Sequence, residues 1–238
     1  DLLLAISEHT RADFIEHLAI PADRVVAVGT GVPARFSPAP DRAAAIRAAV
    51  ESVPGLRAGF AMYTGGSDAR KNVEGLLAAW ALVDPALRAR HQLAVVFKLH
   101  GTHGEHLARV AEELGVADDV VFTGFVDDDV LLAMYRSTDL FVFPSLYEGF
   151  GLPVAEALAC GAVSIASDTS SLPEVLPDPD ARFDPKDPTA IAAAITRGLT
   201  ESAFRERALR TAQAVDHSWE GVVAATERAY GSLAARLR

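Results

Sequence analysis

Cysteine is almost absent from this sequence: Cys160 is the single one among 238 residues. One thiol excludes an internal disulfide framework and fits a protein of the reducing cytoplasm. Because Cys160 falls in the apolar part of a predicted helix, we expect it to pack as a small hydrophobic side chain without a catalytic role.

Basic residues are also in short supply. The chain carries 22 Lys and Arg against 32 Asp and Glu, a formal net charge of -10. Attraction to phosphate chains needs a basic face, so this composition argues against a nucleic-acid partner and against a polybasic membrane-surface module. No apolar run is long enough to span a bilayer, since the longest extends only from Leu76 to Val83. The chain begins at Asp1 without a signal-like segment, and we interpret it as part of a longer protein.

Short apolar runs alternate with amphipathic segments along the chain, and half of the residues are hydrophobic. This alternation predicts an α/β fold, a Rossmann-like parallel sheet flanked by helices with right-handed crossovers. The predicted strands are Leu2–Ile6, Arg24–Val28, Phe60–Thr64, Leu93–Leu99, Val120–Thr123, Leu140–Phe143, Ala162–Ala166 and Ala181–Phe183. The predicted helices are Ser7 to about Leu18, Asn72–Val83, Glu105–Leu114, Asp128–Tyr135, Pro153–Ala159, Leu172–Leu176, Pro188–Leu199, Ala203–Ala214 and Trp219–Leu237. A linker rich in turn residues is predicted at Gly29–Pro40.

The most informative stretch is D-L-F-V-F-P-S-L-Y-E-G-F-G-L-P-V-A-E, which ends at Glu156. A buried strand stops at Pro144, a loop with two glycines follows, and Pro153 suits the first turn of a helix. Glu148 then lies in the loop and Glu156 inside the helix, so both can face a crevice at the carboxyl end of the strand, where open α/β sheets bind ligands. The free N–H groups of the helix favour an anion there. A bare pair of glutamates at this spacing would also fit a plain strand–loop–helix unit with solvated side chains.

The whole string resembles the signature of the retaining glycosyltransferases with the GT-B fold, the group 1 family, which uses nucleotide sugars. The resemblance implies that Glu148 contacts the donor sugar as the catalytic residue and that Glu156 holds the ribose. It also implies that backbone N–H groups at Gly149, Phe150 and Gly151 meet sugar hydroxyls and phosphate.

A second motif, Y-T-G-G-S-D-A-R-K-N, leaves a predicted strand and turns on Gly65 and Gly66. Arg70 and Lys71 then stand at a helix N-terminus, where cations are disfavoured, so an anionic ligand would explain them. Arginine forks onto phosphate oxygens, and lysine supplies a point charge. Taken alone, such a pair would more often open a solvated surface helix.

Beside the first motif, this segment is similar to the family's loop G-x-x-x-x-R-K-[NG], whose basic residues neutralise the donor diphosphate. Many members carry an arginine directly after the first glycine. Here that position is Gly66, so the phosphate clamp depends more on Arg70 and Lys71. Glycine there, followed by D-x-R-K-N, is similar to the branch with mannosyltransferases of bacterial polysaccharide assembly. GDP-mannose is therefore the first candidate donor, ahead of a UDP-sugar.

Weaker signals add candidates around the same crevice. The run F-T-G-F-V resembles the family's loop under the nucleotide base, which implies base contacts at Gly124 and Phe125, although a tight turn explains the glycine equally. Ser145, Leu152 and His100 are further candidates near the donor.

Three histidines, His100, His103 and His106, recur at every third residue. No cysteine set completes a tetrahedral site around them, so we expect no metal there. The run Asp127–Asp129 is interpreted as helix capping. In T-S-S-L-P-E-V, Ser170 is the expected helix N-cap, and Glu174 complements that helix dipole or touches the donor.

The resemblance implies sugar transfer with retention by a hexosyltransferase, most similar to mannosyltransferases, in polysaccharide or glycoconjugate biosynthesis. The cations and helix N–H groups would stabilise the leaving diphosphate, so neither metal nor cofactor is expected. Residues 1–34 would be the tail and linker of an N-terminal domain that binds a saccharide or lipid-linked acceptor. Residues 35–220 would bind the nucleotide sugar, and 221–238 would form a helix packing back on the N-terminal domain. The full-length protein is expected in the cytoplasm, either free or peripheral to the inner face of the membrane.

Other functions stay open at this stage. The chain could act as a nucleotide-binding module that is inactive by itself, or as an epimerase or phosphorylase of the same architecture. A dinucleotide-binding domain of an oxidoreductase fits less well, because Gly65-Gly66 lacks the spaced G-x-G-x-x-G pattern.

Overall fold

The computed structural model describes residues 2–66, 68–97, 102–213 and 215–236. It is the expected α/β fold, a parallel sheet flanked by helices. The strands are β1 (Leu3–Ala5), β2 (Val25–Ala27), β3 (Phe60–Thr64), β4 (Gln92–Val96), β5 (Val120–Gly124), β6 (Leu140–Phe143), β7 (Ser164–Ser167) and β8 (Arg182–Phe183). The helices are α1 (Glu8–Leu18), α2 (Arg42–Ser52), α3 (Val73–Leu82), α4 (Pro85–Arg88), α5 (Thr102–Glu113), α6 (Asp128–Ser137), α7 (Leu152–Ala159), α8 (Leu172–Val175), α9 (Pro188–Thr200), α10 (Ser202–Gln213) and α11 (Trp219–Arg236).

Strand order places the two sequence motifs side by side. The main sheet is parallel with the order β5-β4-β3-β6-β7-β8, and Ala61 of β3 pairs with Leu140 of β6. The chain builds outward from β3 to β5 and then returns to the other side of β3. The direction of winding therefore switches between β3 and β6, and the carboxyl ends of strands at such a point border a crevice.

The core explains why the strand sequences do not alternate between apolar and polar residues. Every residue of β3, β4, β6 and β7 is buried, as expected when helices cover both faces of a parallel sheet. Trp80, Tyr63 and Tyr135 are the bulkiest of the fully buried side chains. Cys160 is also buried as predicted, and burial raises the pKa of its free thiol to about 12.

The first described residues form a small unit beside this sheet. β1 and β2 pair in parallel, with Leu3 opposite Val25, and α1 connects them. Ser7 caps α1 as predicted, since its Oγ accepts a hydrogen bond from the Thr10 N–H at 2.9 Å. The assignment of residues 1–34, 35–220 and 221–238 to separate roles stays a prediction.

Two helices were not predicted from the sequence. α2 lies between the predicted linker and the predicted strand that begins at Phe60. Its only buried residues are Ala45 and Ala49, and small alanine side chains give little apolar contrast along the sequence. The Asp41 carboxylate accepts hydrogen bonds from the first N–H groups of α2, and the helix packs on α6. The second, α4, is a single turn. Among the described residues, no helix combines the length and the apolar character that crossing a membrane requires.

Candidate functional site

A cluster of two cations and one carboxylate, here called the ion-pair cluster, joins the two motifs. Lys71 Nζ lies 2.6 Å from Glu148 Oε1, and Arg70 Nη1 lies 3.2 Å from Glu148 Oε2. The Lys71 and Glu148 side chains are only 12% and 10% exposed. Ionised groups with so little exposure are stable only when they are paired, and Lys71 and Glu148 pair with each other. The Lys71 ammonium also lies over the Phe143 ring, 5.5 Å from its centre.

Backbone contacts bind the two motifs into one structure. Arg70 donates a hydrogen bond from Nη1 to the Tyr147 carbonyl at 2.7 Å, and the Arg70 carbonyl accepts from Leu146 N and Ser145 Oγ. Asn72 adopts a left-handed φ of 56° and donates to the carbonyls of Pro144 and Pro185. A strained residue of this kind persists only where its surroundings hold it, as they do here.

Glu148 is held through its backbone as well as its side chain. Its N–H donates to Ser170 Oγ and its carbonyl accepts from Ser171 Oγ, both at 2.9 Å. Ser170 has a left-handed φ of 51° that turns its hydroxyl toward the loop. The predicted N-cap role of Ser170 is wrong, since Ser171 occupies that position in α8. The hydroxyl of Ser170 serves Glu148 instead.

The Tyr63 side chain contacts and stabilises the turn at Gly65 and Gly66. Its buried hydroxyl donates to the Gly66 carbonyl at 2.6 Å, and a Cβ at Gly65 would lie only 2.7 Å from the Tyr63 oxygen. Burial, followed by the charges of Glu148 and Asp68, raises the pKa of Tyr63, which keeps the hydroxyl a donor. Position 65 therefore has no room for a side chain.

A cleft of about 220 Å³, here called the strand-end cleft, opens at the carboxyl ends of β3, β4 and β5. It brings together four residues that the sequence assigned to phosphate, base and ribose, namely Gly65, Gly124, Phe125 and Glu156. Phe125 is 70% exposed, which leaves its ring free for a flat ligand. The cleft borders the ion-pair cluster through the glycine turn, because a Cβ at Gly66 would meet the Lys71 side chain.

Glu156 lies at the inner wall of the strand-end cleft. Its Oε2 accepts a hydrogen bond from the Tyr135 hydroxyl at 2.9 Å. Burial raises the pKa of Glu156, whereas the Tyr135 hydrogen bond and the Arg35 charge lower it. Burial and the Glu156 charge hold the pKa of Tyr135 well above its usual range. Tyr135 thus donates to one oxygen of Glu156 and orients the carboxylate.

The segment 144–151, here called the glutamate loop, presents free amide groups. Among the described residues, no hydrogen bond uses the backbone N–H groups of Gly149, Phe150 or Gly151. Gly151 has a left-handed φ of 104°, and a Cβ there would lie 2.6 Å from Leu172 Cδ2. Only glycine fits this sharp entry to α7, which leaves several N–H groups open to an anion.

Ser145, Phe150 and Leu152 do not line the strand-end cleft. Ser145 is fully buried and bonded to main-chain carbonyls, and the Phe150 ring packs edge-on against His217. Leu152 is 40% exposed at the start of α7. His100 lies outside the described residues.

Asp127–Asp129 lie at the start of α6 as predicted, with Asp128 and Asp129 in its first turn. Asp127 stands at the N-cap of α6 without a side-chain cap bond, while Asp128 pairs with Arg35 at 2.8 Å. Glu174 does not serve its own helix alone. Its carboxylate accepts hydrogen bonds from the Glu8 and His9 N–H groups of α1.

Sequence reasoning missed several supporting residues, chiefly Tyr63, Tyr135 and Ser171. Tyr135 and Ser171 act on residues 21 and 23 positions away, whereas Tyr63 acts within its own motif; Ser171 also stood inside a quoted motif. In the part of the chain that the structure describes, no group of three or more His, Cys, Asp or Glu residues could hold a metal ion.

Comparison with known proteins gives a consistent result. Residues 57–215 match the family model "Glycosyl transferases group 1". The chain is 36% identical over 222 residues to the serotype-specific mannosyltransferase WbdA of Escherichia coli, an alignment covering 92% of this chain and 27% of that protein. It is 34% identical over 237 residues to the O-antigen chain mannosyltransferase B of Escherichia coli, covering 96% of this chain and 60% of that protein. This chain thus spans less than two thirds of either relative.

A solved structure extends the likeness to the fold. Sucrose-phosphate synthase from Thermosynechococcus elongatus superposes with a TM-score of 0.78 at 27% identity, covering 99% of this chain and 59% of that one.

Proposed function

Because the chain belongs to the glycosyl transferases group 1 family, we propose that it binds the nucleotide-sugar donor of a retaining mannosyltransferase. The strand-end cleft takes the nucleotide, and the ion-pair cluster takes the diphosphate and the sugar. GDP-mannose is the proposed donor. Transfer itself is proposed for the longer protein, whose remaining part binds a saccharide or lipid-linked acceptor.

One observation carries this proposal: Arg70 and Lys71 converge on Glu148 beside a cleft that ends at Glu156. Cations for a diphosphate and a carboxylate for sugar hydroxyls thus lie next to a cleft that is lined by a carboxylate for ribose. The free N–H groups of the glutamate loop lie at the same end of α7, where the helix dipole favours negative charge.

The geometry suggests how transfer proceeds. The bond between the anomeric carbon and a diphosphate oxygen breaks, and negative charge grows on the departing diphosphate. An acceptor hydroxyl oxygen bonds to the anomeric carbon on the face that the diphosphate leaves, and the hydroxyl proton passes to the diphosphate. Arg70, Lys71 and the loop amides stabilise that charge without reorganising. Both cations are paired with Glu148. A bound diphosphate shares these cations, and Glu148 then accepts hydrogen bonds from sugar hydroxyls and stabilises positive charge at the anomeric carbon.

The choice of mannose rests on two supports. Gly66 stands where many family members carry arginine, and the run that follows it is similar to that of mannosyltransferases. The two Escherichia coli relatives described above are themselves named mannosyltransferases. Guanine is proposed as the base because GDP-mannose is the corresponding donor.

Calorimetric titration tests the proposal directly. The chain is titrated with GDP, UDP, ADP and their common sugar conjugates, and the series is repeated with Lys71→Ala. We expect selective binding of GDP and GDP-mannose, lost in the variant. If neither this chain nor the longer protein binds any of them, the proposal fails. Binding of a UDP-sugar instead would keep the family and overturn the donor.

Product analysis separates the remaining functions. The longer protein, given GDP-mannose and a saccharide acceptor, should release GDP and form an α-linked product. Release of an epimerised sugar, or cleavage that requires free phosphate, would indicate an epimerase or a phosphorylase instead.

A further inference from the structure

Helix α1 does not complete its own N-terminal cap. The first N–H groups of any helix lack partners within the helix. Ser7 Oγ serves the Thr10 N–H at 2.9 Å. Among the described residues, the only N–H group that Ser7 Oγ serves is that of Thr10, the third residue of the helix. The N–H groups of Glu8 and His9 therefore depend on a partner from elsewhere.

Glu174 supplies that partner from the other side of the crevice. Its Oε2 lies 2.8 Å from Glu8 N, and its Oε1 lies 2.8 Å from His9 N. The carboxylate thus satisfies two donors at once and places a negative charge at the positive end of the helix dipole. These contacts join residues 165 and 166 positions apart in the chain.

The N-terminus of α1 rests on the glutamate loop. Ser7 Oγ lies 2.7 Å from the Gly149 carbonyl oxygen, and Thr10 Oγ1 lies 3.0 Å from the same atom. Ser7 is 2% exposed, so this contact is closed to solvent. Gly149 directly follows Glu148 in the chain, so this contact anchors the residue next to Glu148.

The segment that carries Glu174 also holds Glu148 itself. Ser170 Oγ and Ser171 Oγ bond the N–H and the carbonyl of Glu148. Glu148 is therefore held on one side by the α8 segment and on the other by α1, and Glu174 connects these two holders. The contacts form a closed ring of hydrogen bonds.

We propose that Glu174 is a positioning residue that locks α1 onto the glutamate loop and thereby fixes the orientation of Glu148. Its effect on turnover rests on the proposed function, whereas its effect on the loop does not. Among the described residues that line the strand-end cleft, none belongs to α1 or α8. Loss of Glu174 should accordingly disturb Glu148 much more than it weakens nucleotide binding.

Amide hydrogen exchange tests the lock on this chain without any substrate. Glu174→Ala should speed exchange at Glu8 and His9 by roughly fivefold or more, the effect of losing a helix cap, and also at the Glu148 N–H. Glu16→Ala, an exposed position on the same helix, is the matched control and should change none of these. Faster exchange at Glu8 and His9 without any change at Glu148 would show an ordinary helix cap and overturn the proposal.

Kinetics of the longer protein supply the second test. Glu174→Ala should lower kcat by about tenfold or more, as expected for a misplaced reacting group, while the Kd for GDP changes by only about a few fold. Glu174→Gln keeps one acceptor oxygen and should give an intermediate kcat, which preserves the test if the alanine variant unfolds. A parallel loss of GDP affinity, or an unchanged kcat, would overturn the proposal. If the wild-type protein transfers no sugar, the proposed function fails, and exchange at Glu148 still decides the lock.

A double variant checks the ring itself. Ser7→Ala removes the hydroxyl that holds Gly149 from the α1 side. If both residues act through one lock, the kcat of the double variant with Glu174→Ala should be about as low as the kcat of the slower single variant. Additive losses would show two independent contacts and overturn the ring.

Discussion

Lys71 and Glu148 come from motifs 77 residues apart and form an ion pair of 2.6 Å at the switch between β3 and β6. The cation assigned to the diphosphate and the carboxylate assigned to the sugar thus hold each other in place. This pairing neutralises two charges that have little exposure to solvent. Removal of Glu148 and removal of Lys71 should nevertheless have different effects on turnover and on nucleotide binding.

Removal of the Glu148 charge should affect turnover much more than nucleotide binding. Glu148→Gln keeps the shape of the side chain and leaves Arg70 and Lys71 available to phosphate. We expect transfer by the longer protein to fall by about a hundredfold or more, with GDP affinity within a few fold of wild type. Initial rates and calorimetry measure the two quantities. Glu51→Gln, exposed on α2, is the control, and unchanged turnover would remove Glu148 from the mechanism.

Removal of the Lys71 charge should weaken nucleotide binding. Lys71→Ala takes away a charge-assisted contact to phosphate and leaves Glu148 with Arg70 alone. Such contacts contribute about 1.5–3 kcal/mol, so GDP affinity should fall by roughly 10-fold to 100-fold. Titration at fixed ionic strength is the measurement. Lys186→Ala, an exposed position, is the control; equal affinities for GDP in wild type and Lys71→Ala would contradict the phosphate role.

Donor affinity should depend on the ionisation of Glu156. Burial raises the pKa of this carboxyl from 4.5. A carboxylate accepts hydrogen bonds from the ribose hydroxyls better than the neutral acid does. Affinity for GDP-mannose should therefore fall with falling pH in a window that begins above 4.5. This donor has no terminal phosphate monoester to confuse the titration. Glu156→Gln should flatten the profile, and a flat wild-type profile would contradict the ribose assignment.

Tyr135 should set where that window lies. Its hydrogen bond lowers the pKa of Glu156, so Tyr135→Phe should move the fall in affinity to higher pH. The free energy of unfolding depends on pH in the opposite sense to donor affinity. A carboxyl pKa that is raised in the folded state means that folding favours the neutral acid. The contribution of this group to stability is full below 4.5 and is lost as pH rises through the folded pKa.

Substitution of Gly151 should destabilise the fold as well as the site. Gly151→Ala places a Cβ on a backbone with a φ of 104° and 2.6 Å from Leu172 Cδ2. The combined strain should lower the free energy of unfolding by about 1–3 kcal/mol. Each kcal/mol should lower Tm by roughly 2–4 °C in a chain of this length. Gly231→Ala in α11, where a Cβ meets nothing within 4 Å, should have no harmful effect. Equal melting of wild type and Gly151→Ala would contradict the account of the α7 entry.

Strands were predicted well because burial on both faces leaves a continuous apolar run. β3 and β6 have the predicted bounds, Phe60–Thr64 and Leu140–Phe143. Helix α2 escaped prediction because alanine supplies its buried face and leaves no contrast along the sequence. Local signals failed where side chains serve distant partners: Ser170 resembles an N-cap, but its hydroxyl accepts from Glu148.

The sequence alone determined the fold class, the family resemblance and the two motifs, because apolar runs, glycine turns and charged residues at strand ends are local properties. It could not decide that Lys71 and Glu148 touch, that Tyr135 orients Glu156, or that Glu174 caps a helix far from its own. Those relationships depend on strand order and on helix placement. They follow from the tertiary structure, in which β6 lies beside β3 and the N-terminus of α1 contacts the glutamate loop.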